Sequence, residues 1–281
     1  MSVDVLTPIV EVPSATTHDS PGFVKAWGWV WPKALALGLV VATWQLIVWS
    51  GWKPVYTFPG PTTVLPFLWD YMHTQIFWEA VATTLRRAVV GFAAAVVVGT
   101  VIGVAVARVR VLRLAVGSLI TGLQTMPSIA WFPLAILLFG LKEKAIFFVV
   151  ILGAAPSVAN GVISGIDNIP PQFLRLAKVL GARGVNLYRN IVLPAALPAY
   201  VQGMTQGWAF AWRSLMAGEI LVIIAGRPAL GSQLEFARNV NDATKLLALM
   251  IVILVVGMLA DGVFSSFAAR VRRRRGLGLE G

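Results

Sequence analysis

A chain of 281 residues that is 58% hydrophobic and 12% charged, with a mean hydropathy of +0.79, carries about half the charge of a soluble domain. It reads as a polytopic membrane protein. It has no cysteine, which excludes disulfides and thiolate metal sites, and its two histidines, His18 and His73, lie far apart in polar regions and offer no metal cluster. The net charge of +11 would suggest nucleic acid in a soluble protein; here the placement of the charges matters more than their sum.

Residues 1–22 are polar and rich in Ser, Thr and Pro, the composition of a disordered tail, with no signal-peptide order of features. The first apolar run, 34–52, is uncharged and long enough to cross about 30 Å of hydrocarbon. Trp27, Trp29 and Trp31 precede it and Trp49 and Trp52 close it, as interfacial anchors. After Pro59-Gly60-Pro61, residues 62–75 suit a short amphipathic helix on the membrane surface. A second span is expected over about 83–107. Arg86 and Arg87 near its outer end either snorkel or face the protein interior. Gly91, Gly99 and Gly103 share one face, which favours close helix packing. The third run, 114–141, is too long for one upright helix and is interrupted at Gln124-Thr125-Met126-Pro127-Ser128. Backbone groups freed there need protein or water partners, so the break should face the bundle interior. A short turn at Lys142-Glu143-Lys144 leads to span four, 145–165. Span five, 199–224, and span six, 246–269, are separated by a loop at 226–245. The expected domains are a tail, 1–33, a membrane domain, 34–269, and a basic tail, 270–281.

Between spans four and five lies the stretch 166–198, long and polar for so apolar a chain. Pro170-Pro171 stops the preceding helix. Phe173, Leu174, Ala177, Val179 and Leu180 then give an apolar face, opposed by basic residues that include Arg175 and Lys178. Gly181 and Gly184 allow a turn with positive φ around Ala182 and Arg183, and a second short helix follows from Val185 to about Val192. Such a knuckle outside the bilayer either lies on the interface as an ordinary amphipathic helix or docks on a partner.

Counting Lys and Arg with the N-terminus inside places fourteen on inner segments and six on outer ones. Positive residues stay in the cytoplasm, which favours six spans with both termini inside and puts the knuckle in the cytoplasm. No Walker A pattern and no repeat of one half in the other is present.

The knuckle resembles the cytoplasmic loop of bacterial ABC importer permeases, written E-A-A, three residues, G, nine residues, I-x-L-P. Gly181, Ile191, Leu193 and Pro194 hold the last four fixed positions, and Arg175-Leu176-Ala177 replaces the E-A-A triplet, so only its last alanine matches. The Pro-rich segment and its helix are similar to those of the sulfonate, taurine and nitrate group. The resemblance implies an all-α type I importer permease in the inner membrane, a translocation subunit rather than an enzyme. It implies as partners a second copy of the permease, two cytoplasmic ATP-binding subunits carrying ATP and Mg, and an extracytoplasmic binding protein. It also implies that Arg175, Ala177, Lys178, Gly181, Ala182, Arg183 and Gly184 lie in the coupling segment that docks on the ATPase.

A charge at the bilayer centre costs at least about 2.5–3.5 kcal/mol, so Arg213 and Glu219 should face a cavity or a partner. Arg213 offers an anionic cargo charge-assisted hydrogen bonds. Glu219, about 120° away around the helix, does not pair with it along one face and suits a structural ion pair with another helix better than an anion path. Gln124, Met126, Ser128 and Trp212 complete the candidate pathway, either as its lining or as a plain kink and packing. An ion-driven secondary transporter would have only Glu219 and Asp261, the latter near an end, as titratable groups inside the spans, and an intramembrane enzyme would lack a nucleophile or carboxylate pair at motif spacing. The basic tail suits orientation and anionic lipid better than nucleic acid.

Overall fold

The structure, a computed structural model, describes residues 22–273; the expected polar tail before residue 22 and the end of the basic tail lie almost wholly outside them. The described residues are helical, with no strand among them. The chain divides into a first unit that ends at Lys53 and a second that begins at Pro54. In the first, α1 (Gly22–Trp49) is one helix, and its apolar stretch from Trp31 to Trp49 is long enough to cross a membrane.

In the second unit, α2 (Pro61–Met72) starts on a proline whose missing N–H is not needed there. Its buried residues, Pro61, Val64, Leu68 and Tyr71, recur at helical spacing and pack into the protein, so this face is covered by the bundle rather than by lipid. Next, α3 (Gln75–Arg108) runs 34 residues, longer than expected. The third run is broken as its sequence requires. Within it, α4 (Arg110–Thr125) ends before Pro127, a 3₁₀ turn follows over Ser128–Trp131, and α5 (Phe132–Phe139) leaves at 105° to α4.

The core of the unit is α6 (Glu143–Asp167), which packs along α3 and α9 (Leu193–Leu221). Small residues set the spacing. A Cβ at Gly99 would stand 2.5 Å from the carbonyl oxygen of Ala155, and Gly161 and Gly203 meet backbone to backbone between α6 and α9. Such contacts let helices approach within van der Waals reach where lipid offers no hydrophobic drive. Phe92, Phe132, Val149, Val150, Trp208 and Leu215 fill the space between them.

The loop expected over 226–245 contains a helix, α10 (Leu230–Asn239). The last helix, α11 (Ala243–Arg273), continues past residue 269, so the first arginines of the basic tail extend it. Among the described residues, four helices are individually long and apolar enough to span, five if the broken pair counts as one. The full helix at the expected fifth span, α9, is not among them, because Gln202, Gln206, Arg213 and Glu219 make it too polar. The count of six is therefore not established.

Candidate functional site

Three places bring together the residues of interest: the knuckle, the break in the third run, and a groove between α9 and α11.

The knuckle is built by local rules. Its first helix, α7 (Pro171–Val179), begins on Pro171. Gly181 follows with φ +70°, and Ala182 N–H donates to Ala177 O at 2.9 Å, the six-to-one bond of a Schellman cap. A left-handed residue is needed there, which gives the glycine its physical reason. Gly184, at φ +55°, opens the single turn α8 (Gly184–Leu187). A π turn over Tyr188–Val192, not foreseen from the sequence, then runs into α9. Ala177 is buried, while Phe173, Leu176, Val179, Leu180 and Val185 are exposed, Val179 by 84%. Arg175 and Arg183 are exposed beside them. Leu176, outside the expected apolar face, thus joins it at the surface and Ala177 leaves it.

At the break, the Gln124 side chain donates to Ser157 Oγ at 3.0 Å and accepts from Asn160 Nδ2 at 2.9 Å, both on α6. The side chain next to the break is thus tied to α6 at two points. Ser128 approaches Gly153 of α6, where Ser214 of α9 also arrives. Ser214 is fully buried and its hydroxyl lacks a hydrogen-bond partner among the described residues. Met126 is 41% exposed.

Trp212 and Arg213 belong to the third place. A groove of about 490 Å³ between α9 and α11 is lined by Trp208, Trp212, Arg213, Met216, Met258 and Asp261, among others. Arg213 Nε donates to Ala209 O at 3.1 Å, and the guanidinium lies 5.1 Å from the Phe210 ring. These contacts are all on its own helix, and its head is exposed.

Glu219 stands apart from all three, with no exposed surface. Its carboxylate accepts from Arg87 Nη1 at 3.2 Å, Thr84 Oγ1 at 2.8 Å and the backbone N–H of Gly231 at 3.1 Å. Thr84 Oγ1 in turn accepts from Leu230 N–H at 3.0 Å. The N-terminus of α10, whose N-cap residue Ala229 has no side-chain acceptor, is therefore capped from α3 and α9. Arg87, 2% exposed, also reaches Glu143, which takes Arg86 and Arg227 as well. Of the neighbouring arginines, Arg87 faces the interior and Arg86 solvent. One sequence signal could have separated them: the stripe through Gly91, Gly99 and Gly103 extended backwards meets Arg87, then Thr84.

Residues 95–273 match the family described as the binding-protein-dependent transport system inner membrane component, and the chain belongs to that family. It is 27% identical to an aliphatic sulfonates transport permease protein of Bacillus subtilis, over 84% of each chain. It is 27% identical to the bicarbonate transport system permease protein of Synechococcus elongatus, over 86% of this chain and 90% of that one. With the nitrate import permease protein of Leptolyngbya laminosa it shares 24% identity over 85% and 87% of the two chains. Its fold is that of a solved chain of the MetNI methionine ABC transporter in inward-facing conformations, at a TM-score of 0.57 and 20% identity, over 70% of this chain and 96% of that one. The protein is thus a multi-pass permease component of the ABC importer class, with the type I importer fold.

Proposed function

We propose that this permease imports a small organic anion, driven by a separate ATPase that grips the knuckle from the cytoplasm. The observation that carries this reading is the exposed apolar surface of Phe173, Leu176, Val179, Leu180 and Val185, ordered by the Gly181 cap inside a G-x₉-I-x-L-P stretch. Apolar side chains held outside the spans in a fixed geometry are the mark of a docking face. Arg175, Ala177, Lys178, Gly181, Ala182, Arg183 and Gly184 form or flank that segment and are assigned to coupling.

The chain works in this reading as one of two copies, with two ATP-binding subunits and an extracytoplasmic binding protein, and both of its termini are cytoplasmic. ATP and Mg act on the partner chains, and this chain hydrolyses nothing. Each state of the ATPase pair must favour a different state of the spans, since only differential affinity moves an equilibrium. The pathway is assigned to Gln124, Met126, Ser128, Trp212 and Arg213. Glu219 is assigned to the buried ion pair that holds the fold at its end. An anion is favoured because Arg213 alone among these is cationic; it lines a groove that is apolar apart from Arg213 itself and Asp261. Relatives named for sulfonate, nitrate and bicarbonate handle anions, which supports the same choice.

The test is co-purification of the tagged chain from membranes followed by uptake assays. An ATPase chain that co-purifies, and uptake abolished when ATP is withheld, are the expected results. Uptake that survives without ATP and follows an ion gradient would instead establish a secondary transporter.

A further inference from the structure

The knuckle is joined covalently to α6 and α9 alone. Two side-chain contacts add a third helix. Arg113, in the first turn of α4, reaches Asp167, the last residue of α6, with Nη2 2.8 Å from Oδ1. The same Nη2 donates to Ala107 O at 3.1 Å, which holds the guanidinium against the end of α3. Arg108, the last residue of α3, places its guanidinium 4.5 Å from the centre of the Tyr188 ring. Tyr188 begins the π turn. The corner between α3 and α4 is thus fastened to the knuckle at its entry, Asp167, and at its exit, Tyr188.

The far end of α4 is fastened too. Gln124 uses both ends of its amide on Ser157 and Asn160 of α6, one residue before the helix ends at Thr125. A helix of 16 residues is about 24 Å long. Its two ends are therefore a corner tied to the knuckle and a break that turns the chain by 105°. A π turn commonly marks a place where a helix yields, and Pro194 and Pro198 follow it in α9. The direct route from knuckle to α9 therefore contains a soft joint, whereas α4 is an unbroken rod.

We infer that Arg108 and Arg113 are positioning residues for transport: through Tyr188 and Asp167 they make the α3–α4 corner follow the knuckle, and α4 carries the movement to the break at 126–128. This rests on the coupling role proposed for the knuckle. Both contacts are surface pairs, Arg113 and Asp167 being 42% and 39% exposed, so their part in folding is small and their part in relaying motion is separable.

The test uses the full chain assembled with its ATPase, made from a protein without cysteines. Spin labels at Gly117→Cys, where an added Cβ meets nothing within 4 Å, and Leu137→Cys, 82% exposed, report the angle between α4 and α5. The distance between them is expected to differ between nucleotide-free and vanadate-trapped ATP states. In Arg108→Ala/Arg113→Ala that difference should fall at least about twofold while ATP hydrolysis continues. Exchange of the pair, Arg113→Asp with Asp167→Arg, should restore more of it than Arg113→Asp alone. An undiminished difference in the double variant, or none in the unsubstituted chain, overturns the inference. If no ATPase associates with the unsubstituted chain, the coupling role itself fails, a result distinct from either. Should the double variant not assemble, Arg113→Lys takes its place, with a smaller loss expected and an unchanged difference counting against the corner.

Discussion

Arg87 and Glu219 form an ion pair with almost no exposed surface, 3.2 Å from Nη1 to Oε1. The pair joins the last turn of α9 to α3, and through Glu143 to the first turn of α6. Burying two charges yields little net stability, yet removing one partner leaves the other uncompensated. Here the removal also uncaps α10, because Thr84 and Glu219 hold its first N–H groups.

Glu219→Ala should accordingly cost about 3–5 kcal/mol, well above the sub-kilocalorie average of a single polar contact between membrane helices. Thermal unfolding of the purified chain in detergent measures it. Glu219→Gln, which can still accept from Thr84 and Gly231, should lose less. Equal, small losses in both variants would mean that the pair is not a structural node.

Glycine substitutions test the packing of α3 on α6. Gly99→Ala places a Cβ 2.5 Å from a backbone oxygen, which cannot move aside as a side chain can, and should cost about 1–3 kcal/mol. Gly117→Ala, with nothing within 4 Å, should be neutral or stabilising by up to about 1 kcal/mol. Melting temperatures of the two variants in one detergent decide it, and a Gly99→Ala chain as stable as the unsubstituted one would contradict the close approach.

The broken third run, the small-residue face of α3 and the turn at Gly181 were legible because each depends on local chemistry: prolines, helical spacing and a required positive φ. The helix α10 was not, since its cap comes from Thr84 and Glu219, which are distant in the sequence. Nor could composition decide between Arg86 and Arg87, adjacent residues with opposite fates; only the register of the buried stripe separates them. Among the candidate pathway residues, the nature of Arg213 was readable, but not that its groove is shared with α11, which is a matter of tertiary packing. The π turn left no mark that helix propensity reads.

The knuckle's apolar face predicts its own variants. Leu180→Asp, at a side chain 72% exposed, should leave insertion and folding unchanged and weaken retention of the ATPase on the tagged chain by at least about tenfold. Gly181→Pro should do the same by a different route, because proline cannot adopt φ +70° and the Schellman cap is lost. Wild-type retention by both chains would remove the docking role from this surface.

Orientation can be read with impermeant maleimides, as no native cysteine competes. Lys142→Cys should react from outside intact cells and Arg183→Cys only after the membrane is opened. The reverse pattern would invert the topology inferred from the lysine and arginine count.

Arg213→Ala bears on the cargo. Among the described residues the guanidinium is held by its own helix alone, through Ala209 O and the Phe210 ring, so its removal frees no buried partner and should cost less than about 0.5 kcal/mol of stability. A hydrogen bond to a charged group is worth about 1.5–3 kcal/mol, or roughly tenfold to a hundredfold in affinity. Uptake of a radiolabelled aliphatic sulfonate by proteoliposomes of the assembled complex should therefore fall at least about tenfold in apparent affinity, with assembly intact. Arg213→Lys should recover part of the loss, since it returns the charge without the planar fork. Uptake unchanged in Arg213→Ala would take this residue out of the pathway and leave the groove between α9 and α11 as a surface for lipid.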